Sequence, residues 1–225
     1  MGRAPRINVG NLVYHIVNRA NSRRTLFTED EAYTHFEFLL KDAVERFDMR
    51  LLAYALMPNH WHLILYPRAD GDMSLFMQWL TLTHTQQYHV WKETVGYGQI
   101  YQGRYKSFLI DTDQYLLTAI KYVERNPVRA KLARRVEDWR WSSGHRRLQG
   151  AKKAQALISN SPVELPTNYR AWINTPESAA ELEAIRLSNV KGIPFGNPAW
   201  VEETVEKYGL QATMRSGGRP RRELK

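Results

Sequence analysis

Three groups of residues have the types and spacing to do chemistry. The first is His60-Trp61-His62, inside the β-forming run His60 to Tyr66 (HWHLILY). Successive side chains on a strand alternate faces, so His60 and His62 share one face while Trp61 points into a core on the other. Two imidazoles about 6–7 Å apart along a strand can reach one ion, and neutral imidazole is a common ligand for borderline divalent metals. The same triplet also suits two surface or internally bonded histidines, and His84 and His89, on a nearby helical stretch, are alternative imidazoles. The second group is Tyr115, Tyr122 and Asn126. At about 100° per residue, Leu116, Leu117, Ile120 and Val123 form one apolar stripe, and these three residues cluster about 120–160° from its centre. A phenol on that face meets either solvent or a site, and tyrosine can act as a covalent nucleophile toward a phosphate polarised by a metal. Asn126 lies one turn beyond Tyr122, so its carbonyl oxygen can meet a metal beside that phenol. The third group runs from Lys121 to Lys153, where eleven Lys and Arg face only Glu124, Glu137 and Asp138, with Trp139, Trp141 and His145 interleaved. Cations that track phosphates and aromatics that stack on bases are the equipment of single-strand binders, unless the tryptophans only anchor the segment to the core.

Positioning these groups requires a small set of elements. Leu12 to Asn18 reads as a first strand. A polar loop with Arg19, Arg23 and Arg24 follows it. Glu29 to Phe47 has helical spacing at Phe36, Leu39, Leu40, Val44 and Phe47, with an acidic start that suits the helix dipole. Arg50 to Met57 is a second strand, Pro58-Asn59 a tight turn, and His60 to Tyr66 a third strand antiparallel to it. Ser74 to Trp91 is a second helix, expected to face Leu75, Trp79, Leu82 and Thr83 inward. Lys106 to Ile110 is a fourth strand. A third helix runs from Asp113 to about Asn126, where Pro127 disfavours helical geometry in the residue before it. The order βαββαβ, completed by an added helix, predicts an α+β chain with a ferredoxin-like antiparallel sheet, two helices on one face, and the other face open to the third helix or a ligand. Beyond about residue 153, Ala154 to Pro176 reads as a loop-rich linker. Glu177 to Ser188 and Trp200 to Tyr208 read as short helices, and Arg215 to Lys225 as a basic tail.

Composition narrows the classes. The chain has 225 residues, 43% of them hydrophobic and 24% charged, enough for one domain of ordinary size plus an extension. Its 32 Lys and Arg against 23 Asp and Glu leave a net charge of +9, which favours a polyanionic partner through counterion release. A generic basic surface is the bland alternative. Cysteine is absent, which removes disulfides, thiolate zinc sites and cysteine nucleophiles. No signal peptide or membrane-spanning run is evident, so a cytoplasmic, nucleoid-associated protein without membrane contact is expected.

Tyr54 to Leu65 (YALMPNHWHLIL), Tyr122 to Ala130 (YVERNPVRA) and Trp139 to Ser143 (WRWSS) together resemble the REP-associated tyrosine transposases, members of the HUH class of single-stranded DNA nucleases related to single-tyrosine insertion-sequence transposases. The resemblance covers roughly residues 9 to 150. It implies a catalytic domain over 1–150 and a loop-rich C-terminal extension with short helices over 151–225, to which Lys191 to Phe195 (KGIPF) and Arg215 to Pro220 are also similar. It further implies a metal pair at His60 and His62, a third metal-side ligand at Asn126, Tyr122 as nucleophile with Tyr115 as runner-up, and Mg or Mn as the ion. The implied activity is cleavage of single-stranded or hairpin DNA of the REP type through a 5′-phosphotyrosine link, with rejoining by a second 3′-hydroxyl. The segments Arg19 to Arg24 and Arg129 to Arg147 are the expected DNA grip, with Arg19, Arg23, Arg24, Arg125, Arg129, Arg134, Arg135, Arg140, Arg146 and Arg147 as its cations. The long extension favours a monomer over a dimer that exchanges the tyrosine helix. Two other classes compete: a catalytically silent, domesticated hairpin-binding protein, and a histidine-based metallohydrolase for small substrates. The intact His60, His62 and Tyr122 weigh against the first, and the lack of acidic partners near the histidines weighs against the second.

Overall fold

The computed structural model describes residues 7–149 and 156–215. Arg3, Arg6, Lys152, Lys153 and nearly all of the basic tail therefore lie outside the described residues.

Four strands, β1 (Val13–Arg19), β2 (Arg50–Met57), β3 (His60–Tyr66) and β4 (Lys106–Ile110), form one sheet in the order β2-β3-β1-β4. Each neighbouring pair is antiparallel. This is the ferredoxin-like arrangement expected from the element order. The helices α1 (Asp30–Arg46) and α2 (Asp72–Trp91) bury Phe36, Leu39, Leu40, Phe76, Met77 and Leu80 against Tyr14, Ile16, Tyr54, Trp61 and Leu63. A second apolar cluster forms on the opposite sheet face, where α3 (Gln114–Glu124) packs Leu116, Ala119, Ile120 and Val123 against Val13, Ala53, Ile64 and Phe108. Strand alternation divides the side chains between the two clusters.

Two helix readings need correction. In α2 the buried stripe is Met73, Phe76, Met77, Leu80 and His84, while Leu75 and Leu82 are more than half exposed. Both choices fit a 3.6-residue period, and docking against Trp61 and α1 selects the one that buries the aromatic and methionine side chains. The third helix ends at Glu124, earlier than expected. A four-residue turn α4 (Asn126–Arg129) follows, with Pro127 in its first turn, where a missing N–H leaves no hydrogen bond broken.

The chain after α4 runs back over the sheet. A 3₁₀ turn (Val136–Asp138) and α5 (Ser143–Leu148) bring Trp141 to the free edge of β2, where Leu56 N donates to Trp141 O at 2.9 Å. Beyond the undescribed stretch come α6 (Tyr169–Asn174), α7 (Ala179–Lys191), α8 (Pro198–Lys207) and α9 (Gln211–Met214). Between α7 and α8, Phe195 exchanges backbone hydrogen bonds with β4, donating to Leu109 O at 2.8 Å and accepting from Asp111 N at 2.9 Å. Both outer strands are thereby partly covered. The stretch read as a linker contains α6, and Ile185 of α7 and Phe195 belong to the second apolar cluster.

His84 is fixed in the first layer, its Nδ1 2.6 Å from the Tyr101 hydroxyl. Burial, with a smaller push from His35, lowers its pKa from 6.5 to about 3. Between those values the unfolded chain carries a proton that the folded chain excludes, so stability falls as pH drops below 6.5, by about 1.4 kcal/mol per pH unit from this group. A His84→Phe variant is expected to start less stable, because the Tyr101 hydroxyl loses its acceptor, and to lose less stability on acidification. Urea unfolding of both proteins from pH 7.5 to 4.5 measures the difference in slope.

Candidate active site

The β3 strand presents His60 and His62 on the α3 side, with ring centroids 5.1 Å apart, while Trp61 is buried on the other side and donates its Nε1–H to the Tyr101 oxygen at 3.1 Å. Pairing of β1 with β3 sets Arg19 opposite His60 and Val17 opposite His62. Two residues before Val17, and so on the same face, is His15. Its Nε2 lies 2.9 Å from His62 Nδ1. On the other histidine, Nδ1 lies 2.7 Å from Asn59 Oδ1 in the β2–β3 turn, an amide oxygen that can only accept. Each member of the pair thus has Nδ1 engaged, and neither Nε2 has a hydrogen-bond partner among the described residues.

Burial keeps all three rings neutral. It lowers His60 to about 4, with Arg19 adding to the effect, and His15 to about 3. His62 is driven well below its ordinary value by burial first, then by His15, His60, Arg129 and Arg19. Neutral imidazole is the form that binds metals, because only it has a free ring lone pair. Among the described residues no three His, Cys, Asp or Glu side chains are gathered to hold an ion. An ion on His60 and His62 must therefore complete its shell from an amide, water or a bound oxyanion.

Tyr122 projects from α3 toward this pair. Its ring centroid is 6.0 Å from that of His62 and 6.2 Å from that of His15, edge-on to both. Only 7% of the residue is exposed. The sequence places Tyr115 on nearly the same face, but the structure separates them: Tyr115 packs edge-on against Phe195, with centroids 5.1 Å apart. Asn126 is half-buried at the start of α4, one turn past Tyr122. His84 and His89 belong to the opposite layer, bonded to Tyr101 and to Thr94 and Gly98, which corrects their standing as alternative ligands.

Two buried carboxylates fix the end of α3, and neither role is legible in local sequence pattern. Glu124, fully buried, accepts from Ser143 Oγ at 2.6 Å, from Arg147 Nε at 3.2 Å and from the Tyr169 hydroxyl. Glu177, from the segment before α7, pairs with Arg125 at 2.9 Å and with Arg129. Arg129 in turn lies over the Tyr122 ring, 4.2 Å from its centroid, and donates to Tyr122 O at 2.5 Å. These pairings also revise the expected DNA grip. Arg125, Arg146 and Arg147 are bonded to Glu177, Glu37 and Glu124 respectively, so their charges are already matched inside the protein. Arg129 is held at the candidate site rather than on an outer surface. Arg23, Arg24, Arg134, Arg135 and Arg140 are exposed, and Arg19 is half-buried beside His60. Both tryptophans are anchors: Trp141 stacks on Tyr33 at 5.1 Å, and Trp139 Nε1 donates to Leu56 O at 2.9 Å. His145 is likewise turned inward, its Nδ1 2.5 Å from Glu137 O.

The family model described as "Transposase IS200 like" matches residues 8–126, which spans β1 through Asn126. The chain belongs to this family of transposases. A curated Haemophilus influenzae protein, named among the REP-associated tyrosine transposases, is 26% identical over 119 residues, or 49% of this chain and 68% of that protein. A solved structure of a REP-associated tyrosine transposase bound to a REP hairpin superposes with a TM-score of 0.56 at 18% identity, covering 80% of this chain and all of that one. At that identity the likeness establishes the fold. Family membership carries a DNA-processing role, and the family match ends before Arg129 and Glu177.

Glu177→Ala strands Arg125 in a buried setting without its counter-charge. It is expected to destabilise the fold by about 3–5 kcal/mol, the usual cost of removing one partner of a buried pair. Equilibrium urea denaturation measures this, with Glu183→Ala, at an exposed position of the same helix α7, as the contrast that changes little.

Proposed function

We propose that this chain is a metal-dependent single-stranded DNA endonuclease and strand transferase that forms a 5′-phosphotyrosine link through Tyr122 and acts on REP-type hairpin DNA. The observation that carries this reading is the position of the Tyr122 ring, edge-on to His62 beside two neutral imidazoles whose Nε2 atoms have no hydrogen-bond partner among the described residues. The hairpin class comes from the relatives: the Haemophilus influenzae protein bears the REP-associated name, and the solved structure with this fold is bound to a REP hairpin.

The donor set suits a hard or borderline divalent ion. His60 and His62 would hold Mg or Mn, with Asn126 as the third protein ligand, and the ion would supply charge to polarise the scissile phosphate. Tyr122 Oη attacks phosphorus from its place on α3. The phenolic proton passes to solvent, the P–O3′ bond breaks, and the departing 3′ oxygen takes up a proton. The phosphotyrosine bond keeps the energy of the broken diester, so a second 3′-hydroxyl can reverse the step on another strand without a nucleotide cofactor. Arg129, stacked on the Tyr122 ring and held by Glu177, limits rotation of the ring and brings positive charge to the side where a phosphate must lie. Arg19, Arg23 and Arg24 extend that charge along the loop after β1, and Arg134, Arg135 and Arg140 offer exposed cations on the segment after α4. No helix among the described residues is long and apolar enough to cross a membrane. We assign residues 1–150 to the catalytic domain, residues 151–225 to an extension that braces it, and a monomer as the working unit.

Incubation with 3′-labelled single-stranded REP hairpin DNA and Mn²⁺ should give a labelled protein–DNA adduct that survives denaturation, because the 5′-phosphotyrosine link retains the 3′-side fragment. Tyr122→Phe should abolish the adduct, Tyr115→Phe should leave it, and chelator should prevent it. An undiminished adduct in Tyr122→Phe would remove this tyrosine from the mechanism, and binding without nicking under any divalent ion would favour a silent DNA-binding protein.

A further inference from the structure

The pairing of His15 with His62 has no structural need for an imidazole at position 15. His15 is wholly buried in β1, between the rings of Phe108 at 4.7 Å, His62 at 5.0 Å and Tyr122 at 6.2 Å. That environment suits a phenylalanine. The imidazole instead brings in a second ring nitrogen, Nδ1, which is buried without a hydrogen-bond partner among the described residues. Buried polar atoms are nearly always satisfied in folded proteins, and one that is not weakens the fold.

The 2.9 Å contact between His15 Nε2 and His62 Nδ1 can hold one hydrogen. Both rings are neutral, so the position of that hydrogen decides the tautomer of each. If His15 donates, the only N–H of His62 sits on Nε2, and His62 has no lone pair left for an ion. If His62 donates, its Nε2 lone pair is free and the remaining hydrogen of His15 lies on the unpartnered Nδ1. His60 is set the same way by a different group, since Asn59 Oδ1 can only accept from its Nδ1. Metal-bound histidines typically donate their second N–H to such an outer partner, which fixes ring orientation and raises ligand basicity.

We propose that His15 is a positioning residue for His62: its Nε2 accepts the Nδ1–H of His62, which leaves the His62 Nε2 lone pair free for a divalent ion and holds that ring edge-on to Tyr122. This rests on the metal reading given above. The geometry is a relay of two imidazoles from β1 to β3, in which the inner one never touches ion or DNA.

Full-length wild-type protein, His15→Phe and His15→Gln are compared without DNA by three measurements: Mn²⁺ affinity by calorimetry, thermal unfolding in chelator, and long-range ¹H–¹⁵N correlation of the His62 ring. The proposal expects His15→Phe to unfold at or above the wild-type temperature while binding Mn²⁺ about 10–100-fold more weakly, because packing is kept and the acceptor is lost. The Gln carbonyl can take the same hydrogen, so His15→Gln should regain most of the affinity. The wild-type ring of His62 should show its hydrogen on Nδ1 when Mg²⁺ is present, and lose that preference in His15→Phe. Wild-type affinity in His15→Phe, or a loss of affinity matched by an equal loss of thermal stability in both variants, overturns the positioning role while leaving the metal pair intact. A wild-type protein that binds no Mn²⁺ overturns the metal reading and the role of His15 together.

Discussion

The antiparallel registration of β1 on β3 governs the candidate site. Strand geometry alone puts His60 and His62 on one face, but their electrostatic state comes from the neighbouring strand. With Arg19 opposite His60 and Val17 opposite His62, the pairing brings His15 within hydrogen-bonding range of His62 and sets a guanidinium near His60. A slip of one residue would turn the alternate side chains of β1 over, moving His15 into the aromatic layer under α1 and α2 and leaving Tyr14 or Ile16 at the site. The two apolar clusters prevent that slip, because each needs its own half of the strand. Packing on one face of the sheet therefore preserves chemistry on the other.

Much of this was readable from local pattern. The bounds of β2, β3 and β4 coincide with their β-forming runs, and the opposed directions of His60 and Trp61 follow from a period of two. What pattern could not supply was rotation and pairing. The α2 helix has two plausible inward stripes, and only docking against Trp61 favours Met73, Phe76 and Met77 over Leu75 and Leu82. On α3, periodicity left Tyr115 and Tyr122 equivalent. Their difference comes from which end of the sheet each faces, with Phe195 beneath one ring and the imidazoles beneath the other. His15 carries no local signal, because in the run LVYHIVN a single histidine flanked by β-formers reads as one more strand residue. The signal lay in its alternation with Tyr14 and Ile16 together with a partner strand that also carries histidines.

The basic stretch after α3 shows why charge counts mislead at this scale. Its cations oppose few acids within the segment, yet the structure matches several of them with carboxylates from elsewhere: Glu37 of α1 takes Arg146, and Glu177 takes Arg125 and Arg129. Glu124 is close in sequence, but its bonds to Ser143, Arg147 and Tyr169 exist only once α5 has packed on β2 and Tyr169 of α6 has reached the end of α3. Net charge in sequence and net charge on a surface diverge whenever long-range pairs bury guanidinium groups. The cations left exposed for phosphates are fewer than the charge count alone suggests.

The Arg125–Glu177 pair also imposes an order on assembly during synthesis. A ribosome releases α3 and the Arg125 that follows it some fifty residues before the carboxylate that pairs with that arginine. Until Glu177 emerges, the tyrosine helix has the sheet to dock on, but Arg125 at its end lacks the carboxylate that pairs with it in the folded chain. The seat of the Tyr122 phenol is thus complete only when residues from both ends of this stretch are present, with Arg129 over the ring and Glu177 behind Arg129.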